Sequence, residues 1–135
     1  MASPPSQQQS SLRQDLVRVT VLIYPKEGLT FEEFTNYWLN THGPLISSLD
    51  IVKRNLTKYE QFHFNPELNK GFVEKGLAAT SFWGMAVLEA ESYEKIFALW
   101  EDEEYLKRAR PDEAKFLDRS KTSLVAGRFV DFVGK

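Results

Sequence analysis

The chain contains no cysteine, which excludes a disulfide framework, a thiolate zinc site, an iron–sulfur cluster and a cysteine nucleophile. Histidine is almost as scarce, with two in 135 residues. His42 and His63 fall on different predicted elements, with no HxxxH pair and no carboxylate-rich neighbourhood, so no metal site is expected. No glycine-rich loop follows a strand, so no nucleotide is expected, and the chain is read as cofactor-free. An excess of one charge is missing too: 17 basic against 19 acidic residues leave a net charge of −2. Such a balance gives no field for nucleic acid or an anionic membrane. No apolar run approaches the length of a membrane span. The opening "MASPPSQQQSS" lacks the basic and apolar regions of a secretory signal, so a cytoplasmic location is expected. The sequon at Asn55 is discounted on the same ground. The Ser/Gln/Pro composition of residues 1–14 predicts a short disordered arm.

Aromatic residues are abundant: ten Phe, five Tyr and three Trp, 13% of the chain. They point to a lined pocket, a large interface, or both. The length suits one domain, placed at 15–135, with no internal repeat.

"VRVTVLIY" (17–24) is β-branched and alternating, with Val17, Val19, Val21 and Ile23 on one face. "TFEE" opens a helix, with Thr30 as N-cap and Glu33 completing a capping box. Phe31, Phe34, Trp38, His42 and Leu45 recur at three- and four-residue steps as one apolar stripe. Gly43 and Pro44 are expected to break or bend that helix. A second strand is read at 56–64, a polar loop with room for a short helical turn after it, and a third strand at 80–90. Ser92 caps a second helix carrying Tyr93, Ile96, Phe97 and Trp100. "EDEEYLKRAR" carries opposite charges at helical spacing, as a solvated helix face does. Pro111 suits a first helical position, and a fourth strand is read at 123–134. The order β-α-β-β-α-β predicts an α+β, ferredoxin-like protomer, a four-stranded antiparallel sheet with helices on one face. The last strand is apolar on both parities, so the outer face also needs cover, and a twofold homodimer supplies it.

His42 shares the buried stripe of Phe34 and Trp38. It either hydrogen-bonds the helix-end carbonyls, where a cation suits the dipole, or serves as an acid–base group. On the second strand Tyr59, Gln61 and His63 share one parity and Phe62 and Phe64 the other. The first set suits either a polar pocket floor, with Tyr59 positioning or protonating an oxygen and His63 moving the proton, or a strip at the interface between two copies. A one-residue change of register would instead turn Phe62 inward. Tyr24, Phe34, Trp38, Phe62, Trp83, Trp100 and Tyr105 are candidate walls for a flat aromatic guest, although aromatics at such spacings most often build core. Asp112 is read as a helix-start acid favoured by the dipole, without a catalytic role.

"GLTFEEFTNYWLNTHGPLISSL", "KYEQFHF", "FWGMAVLEAESYEKIFALWEDEEY" and "PDEAKFLD" resemble, in order and spacing, the EthD family of the dimeric α+β barrel superfamily. The resemblance spans about residues 17 to 133. It implies a homodimeric barrel with a pocket between sheet and helices in each subunit, and it places His42 at that pocket. It also implies an enzyme of fungal aromatic polyketide metabolism, a lyase of the decarboxylase or dehydratase type. Polyketide cyclases and cofactor-free monooxygenases on related barrels are alternatives, as is a non-catalytic binder of hydrophobic aromatic metabolites. Fold transfers from such a likeness more readily than reaction does.

Overall fold

The structure is a computed structural model and describes residues 11–134. Residues 1–10 of the expected N-terminal arm lie outside the described residues. Arg13, in the remainder of that arm, donates its backbone N–H to the Phe129 carbonyl at 2.8 Å.

Four strands, β1 (Val17–Ile23), β2 (Lys58–His63), β3 (Gly84–Ala90) and β4 (Ser123–Gly127), form one sheet in the order β2-β3-β1-β4. Every pairing is antiparallel, which is the topology expected from the β-α-β-β-α-β order. Val17, Val19 and Ile23 are buried together, and Phe62 on β2 is 55% exposed. The inner face therefore carries the alternate residues of β1, with Ala86 and Leu88 of β3 and Tyr59 of β2 packed beside them. All of β4 is exposed, and it ends at Gly127 rather than running to 134.

The helices cover the inner face. α1 (Phe31–Tyr37) begins with the full capping box: Glu33 N–H donates to Thr30 Oγ1 at 3.1 Å, and Thr30 N–H to Glu33 Oε1 at 2.9 Å. Such a cap stabilises a helix by about 1 kcal/mol. Phe34 and Trp38 are both buried to within 1%, each contributing on the order of 1.5–3 kcal/mol by apolar burial. The chain does not stop at Gly43–Pro44. It widens into a π-helical turn, Trp38–His42, and continues directly as α2 (Gly43–Ser48). In the π-turn the Gly43 N–H reaches back five residues to the Trp38 carbonyl, and Pro44 sits in the first turn of α2, where its missing donor costs little. α3 (Asp50–Asn55) leads into β2.

The stretch read as a loop with a short helical turn after β2 holds a longer, nine-residue helix, α4 (Pro66–Glu74), whose N-cap Asn65 accepts from Leu68 N–H. α5 (Tyr93–Phe97) follows β3 from its N-cap Ser92 and tightens into a 3₁₀ turn at Ala98–Glu101. Of the stripe assigned to it, Ile96 is fully buried but Phe97 is 46% exposed. A second π-turn, Tyr105–Ala109, runs into α6 (Arg110–Glu113). Among the described residues no helix is long and apolar enough to cross a membrane.

Candidate active site

An imidazole on a buried helix face must find a partner. His42 finds one across the molecule: its Nδ1 lies 2.8 Å from Asp112 Oδ2, with both side chains more than nine-tenths buried. A carboxylate only accepts, so Nδ1 carries the proton and Nε2 is left as the bare acceptor. Tyr37 donates its hydroxyl to the other oxygen of Asp112. Phe116 packs against His42 and Tyr37, with ring centroids 4.6 and 5.7 Å away. Burial, and then the bond to Asp112, push the Tyr37 phenol up to about 12. Nε2 of His42 has no protein partner among the described residues, yet it is not sealed from solvent.

His42 lines a cavity of about 420 Å³ between sheet and helices. Val21, Ile23, Ala86 and Leu88 form its floor, and Trp38, Ile46, Leu99, Trp100 and Phe116 its apolar walls. The polar groups are few: His42, Tyr59, Tyr105, Glu113, Arg119 and Thr122. Mostly apolar walls with a handful of converging polar groups are the usual make-up of a small-molecule site. Burial raises the Tyr59 phenol above its ordinary range, and burial followed by the charge of Glu113 raises Tyr105. Both are therefore neutral donors at physiological pH. Tyr105 donates to Glu113 Oε2 at 3.0 Å, and Arg119 approaches the other oxygen at 3.3 Å. The hydroxyl of Tyr59 touches only the Gln61 amide, at a long 3.5 Å.

The sequence-derived candidates divide between separate places. His42, Tyr59, Trp38, Trp100 and Tyr105 come together around the cavity. His63 does not line it, although it shares the inward parity of Tyr59. It stands behind Trp38, at 4.4 Å between ring centroids, and burial lowers its pKa. Gln61 Nε2 donates to the Trp38 carbonyl at 2.9 Å, so Gln61 Oε1 is left to accept from His63 Nε2 at 2.7 Å. Nδ1 of His63 then accepts from the Thr35 hydroxyl at 2.7 Å. Both nitrogens are spent on holding β2 to α1 and the π-turn. Phe62 and Trp83 line a different, open groove beside α4, together with His63. Phe34 is solid core between Trp38, Trp83 and Phe116. Tyr24 lies at the sheet end against Phe82, with Lys121 over its ring.

Sequence reasoning did not assign Glu113, Arg119 or Thr122 to the site, and it read Asp112 only as a helix-start acid favoured by the dipole. The nearest signal was "PDEAKFLD" (111–118), one of the segments that carry the family resemblance, which contains Asp112 and Glu113 but stops short of Arg119 and Thr122. Spacing could not reveal the pairing, because Asp112 and His42 are 70 positions apart. Among the described residues no three His, Cys, Asp or Glu side chains converge to hold a metal ion.

Residues 26–120 match the family described as the EthD domain. The chain is 23% identical over 124 residues to a conidial pigment biosynthesis dehydratase of Metarhizium robertsii, covering 89% of this chain and 87% of that protein. It is 25% identical over 123 residues to the dehydratase ustZ of Ustilaginoidea virens, covering 84% of each. Among solved structures it resembles an EthD-family protein of Bacillus halodurans at a TM-score of 0.57 and 18% identity, covering 83% of this chain and 96% of that one. A dimeric ferredoxin-like protein of unknown function from Bacteroides fragilis aligns at a TM-score of 0.61 and 15% identity, covering 88% and 100%.

Proposed function

The chain belongs to the EthD family, and we propose that it is a cofactor-independent dehydratase acting on an aromatic polyketide intermediate, with His42 as its base. The observation that carries this reading is the His42–Asp112 pair at the wall of an aromatic-lined cavity. A buried carboxylate on Nδ1 fixes the tautomer and leaves Nε2 free to take a proton.

The chemistry needs little else. On a β-hydroxy ketone that becomes aromatic, Nε2 removes a proton from the carbon next to the carbonyl. The Tyr59 hydroxyl donates to the enolate oxygen as it forms. The enolate then collapses, the β-hydroxyl departs with the proton that His42 holds, and water leaves with His42 neutral again. Atoms and charge balance without an outside oxidant. Trp38 and Trp100 give the flat ring apolar walls to pack on.

Dehydration is favoured over decarboxylation by the charges around the cavity. Among its described lining residues the cation is Arg119, already bonded to Glu113, so a substrate carboxylate would meet no unpaired positive charge. The two relatives named as dehydratases point the same way. A homodimer belongs to the proposal: β4 is wholly exposed and mostly apolar, with Leu124 and Val125 each 52% exposed. Light scattering of the purified chain measures its mass directly, and a monomer at micromolar concentration would remove that part.

The test is turnover of β-hydroxy aromatic ketones followed by product mass, which separates loss of water from loss of carbon dioxide. His42→Ala should lower the rate by about 10²-fold or more. Near-normal turnover in that variant would overturn the assignment of the base.

A further inference from the structure

We infer that Tyr37, which does not line the cavity, is a positioning residue that fixes the Asp112 carboxylate and, through it, the tautomer and basicity of His42. The inference rests on the reading of His42 as the base and extends it one residue outward. Asp112 is buried and has two oxygens to satisfy: Oδ2 accepts from His42 and Oδ1 from the Tyr37 hydroxyl. Two donors on two oxygens stop the carboxylate from rotating and divide its charge between them.

The pairing depends on the π-turn. Residues five apart on an α-helix point about 140° away from each other, so Tyr37 and His42 could not serve one carboxylate. The turn at Trp38–His42 carries one residue more than an α-helical turn and brings the two onto one side. Phe116, packed against both rings, fills the space beneath them.

Removing the Tyr37 hydroxyl leaves Oδ1 of Asp112 buried without a donor. The carboxylate charge then falls more fully on His42 and stabilises its imidazolium form. The other ionisable groups around His42 are Tyr59 of β2, Tyr105 of the second π-turn, Glu113 of α6 and Arg119 beyond it. None bonds either nitrogen of His42 among the described residues, and all are unchanged by a substitution at position 37.

The experiment is an NMR titration of the full-length protein labelled with ¹⁵N-histidine, in which the two imidazoles are assigned by His63→Gln. In Tyr37→Phe the midpoint of His42 should rise by about half a unit to one unit, while that of His63 stays in place. Tyr37→Met, which lacks the hydroxyl but does not rely on the ring's fit against Phe116, should give the same rise. In an Asp112→Asn background the substitution at Tyr37 should have no further effect, because the shared partner is gone. A His42 titration unchanged in both variants overturns the inference, as does a shift that persists in Asp112→Asn. Loss of turnover in His42→Ala is read in a separate assay, so either idea can fail alone.

Discussion

The two histidines stand on the same side of the sheet, on either side of Trp38, and differ in what their nitrogens are left to do. His63 accepts from Thr35 and donates to Gln61, so no lone pair and no proton is spare. His42 donates its Nδ1–H to a buried carboxylate, has no protein partner on Nε2 among the described residues, and lines a cavity. One ring is a structural cross-brace, and the other is the one proposed as the base. What separates them is the partner rather than burial, because His42 is the more deeply buried of the two. A carboxylate leaves an imidazole one free acceptor, whereas an amide and a hydroxyl together use both nitrogens.

The strongest way to break this comparison is to exchange their expected phenotypes. His42→Ala should lose about 10²-fold or more in turnover, and His63→Gln should stay within a few-fold of the parent in the same assay. Equal losses would show that both rings take part. Next in size, Asp112→Asn should cost about 10- to 100-fold in rate through the lost orientation of His42, with a circular dichroism spectrum like that of the parent. On the stability side, Gly84→Ala would drive a methyl group into the ring of Trp38, whose Cη2 lies 2.8 Å from where that carbon would sit. Overpacking of this kind typically costs about 1–3 kcal/mol, readable by urea denaturation, and it should disturb the wall between the two histidines.

The smallest effect concerns pH. Burial holds the folded pKa of His63 below its ordinary 6.5, so between those values the unfolded chain binds more protons than the folded one. The stability that His63 contributes is therefore complete above pH 6.5 and is lost as pH falls toward its lowered folded value. Melting temperatures of the parent should drop across that window and flatten in His63→Gln. A parallel drop in both proteins would assign the effect to another group.

Much of the architecture is legible in the residues because it rests on local rules. Alternation in β1, the Thr30–Glu33 box and the Ser92 cap each follow from neighbours a few positions apart, and all three form as expected. The parity of Tyr59 was also readable, but which of its companions reached the cavity was not. Trp38 and Gly84 decide that: the ring packs against a strand position without a side chain and walls His63 off. Gly43–Pro44 read as a stop because a proline removes an α-helical hydrogen bond, yet a π-turn just before it reroutes the Gly43 amide to Trp38. The Asp112–His42 pair was out of reach for a different reason. It joins the first π-turn to α6, 70 positions further along the chain, and neither residue's surroundings in sequence record the other.

Each π-turn amounts to a surplus amino acid in an otherwise α-helical stretch, and both surpluses lie in segments that border the cavity. Leu39 and Asn40 are exposed within the first, so deleting one of them would let the helix rewind to its ordinary pitch with little loss of core. In the rewound helix Tyr37 and His42 would stand four residues apart, about 40° around the axis, so both would still face one side while the helix beyond them lost one residue of length. Competence here is thus a matter of counting as well as of chemistry: with the two positions five residues apart only a widened turn lets them share a face, and with four an ordinary helix would do the same.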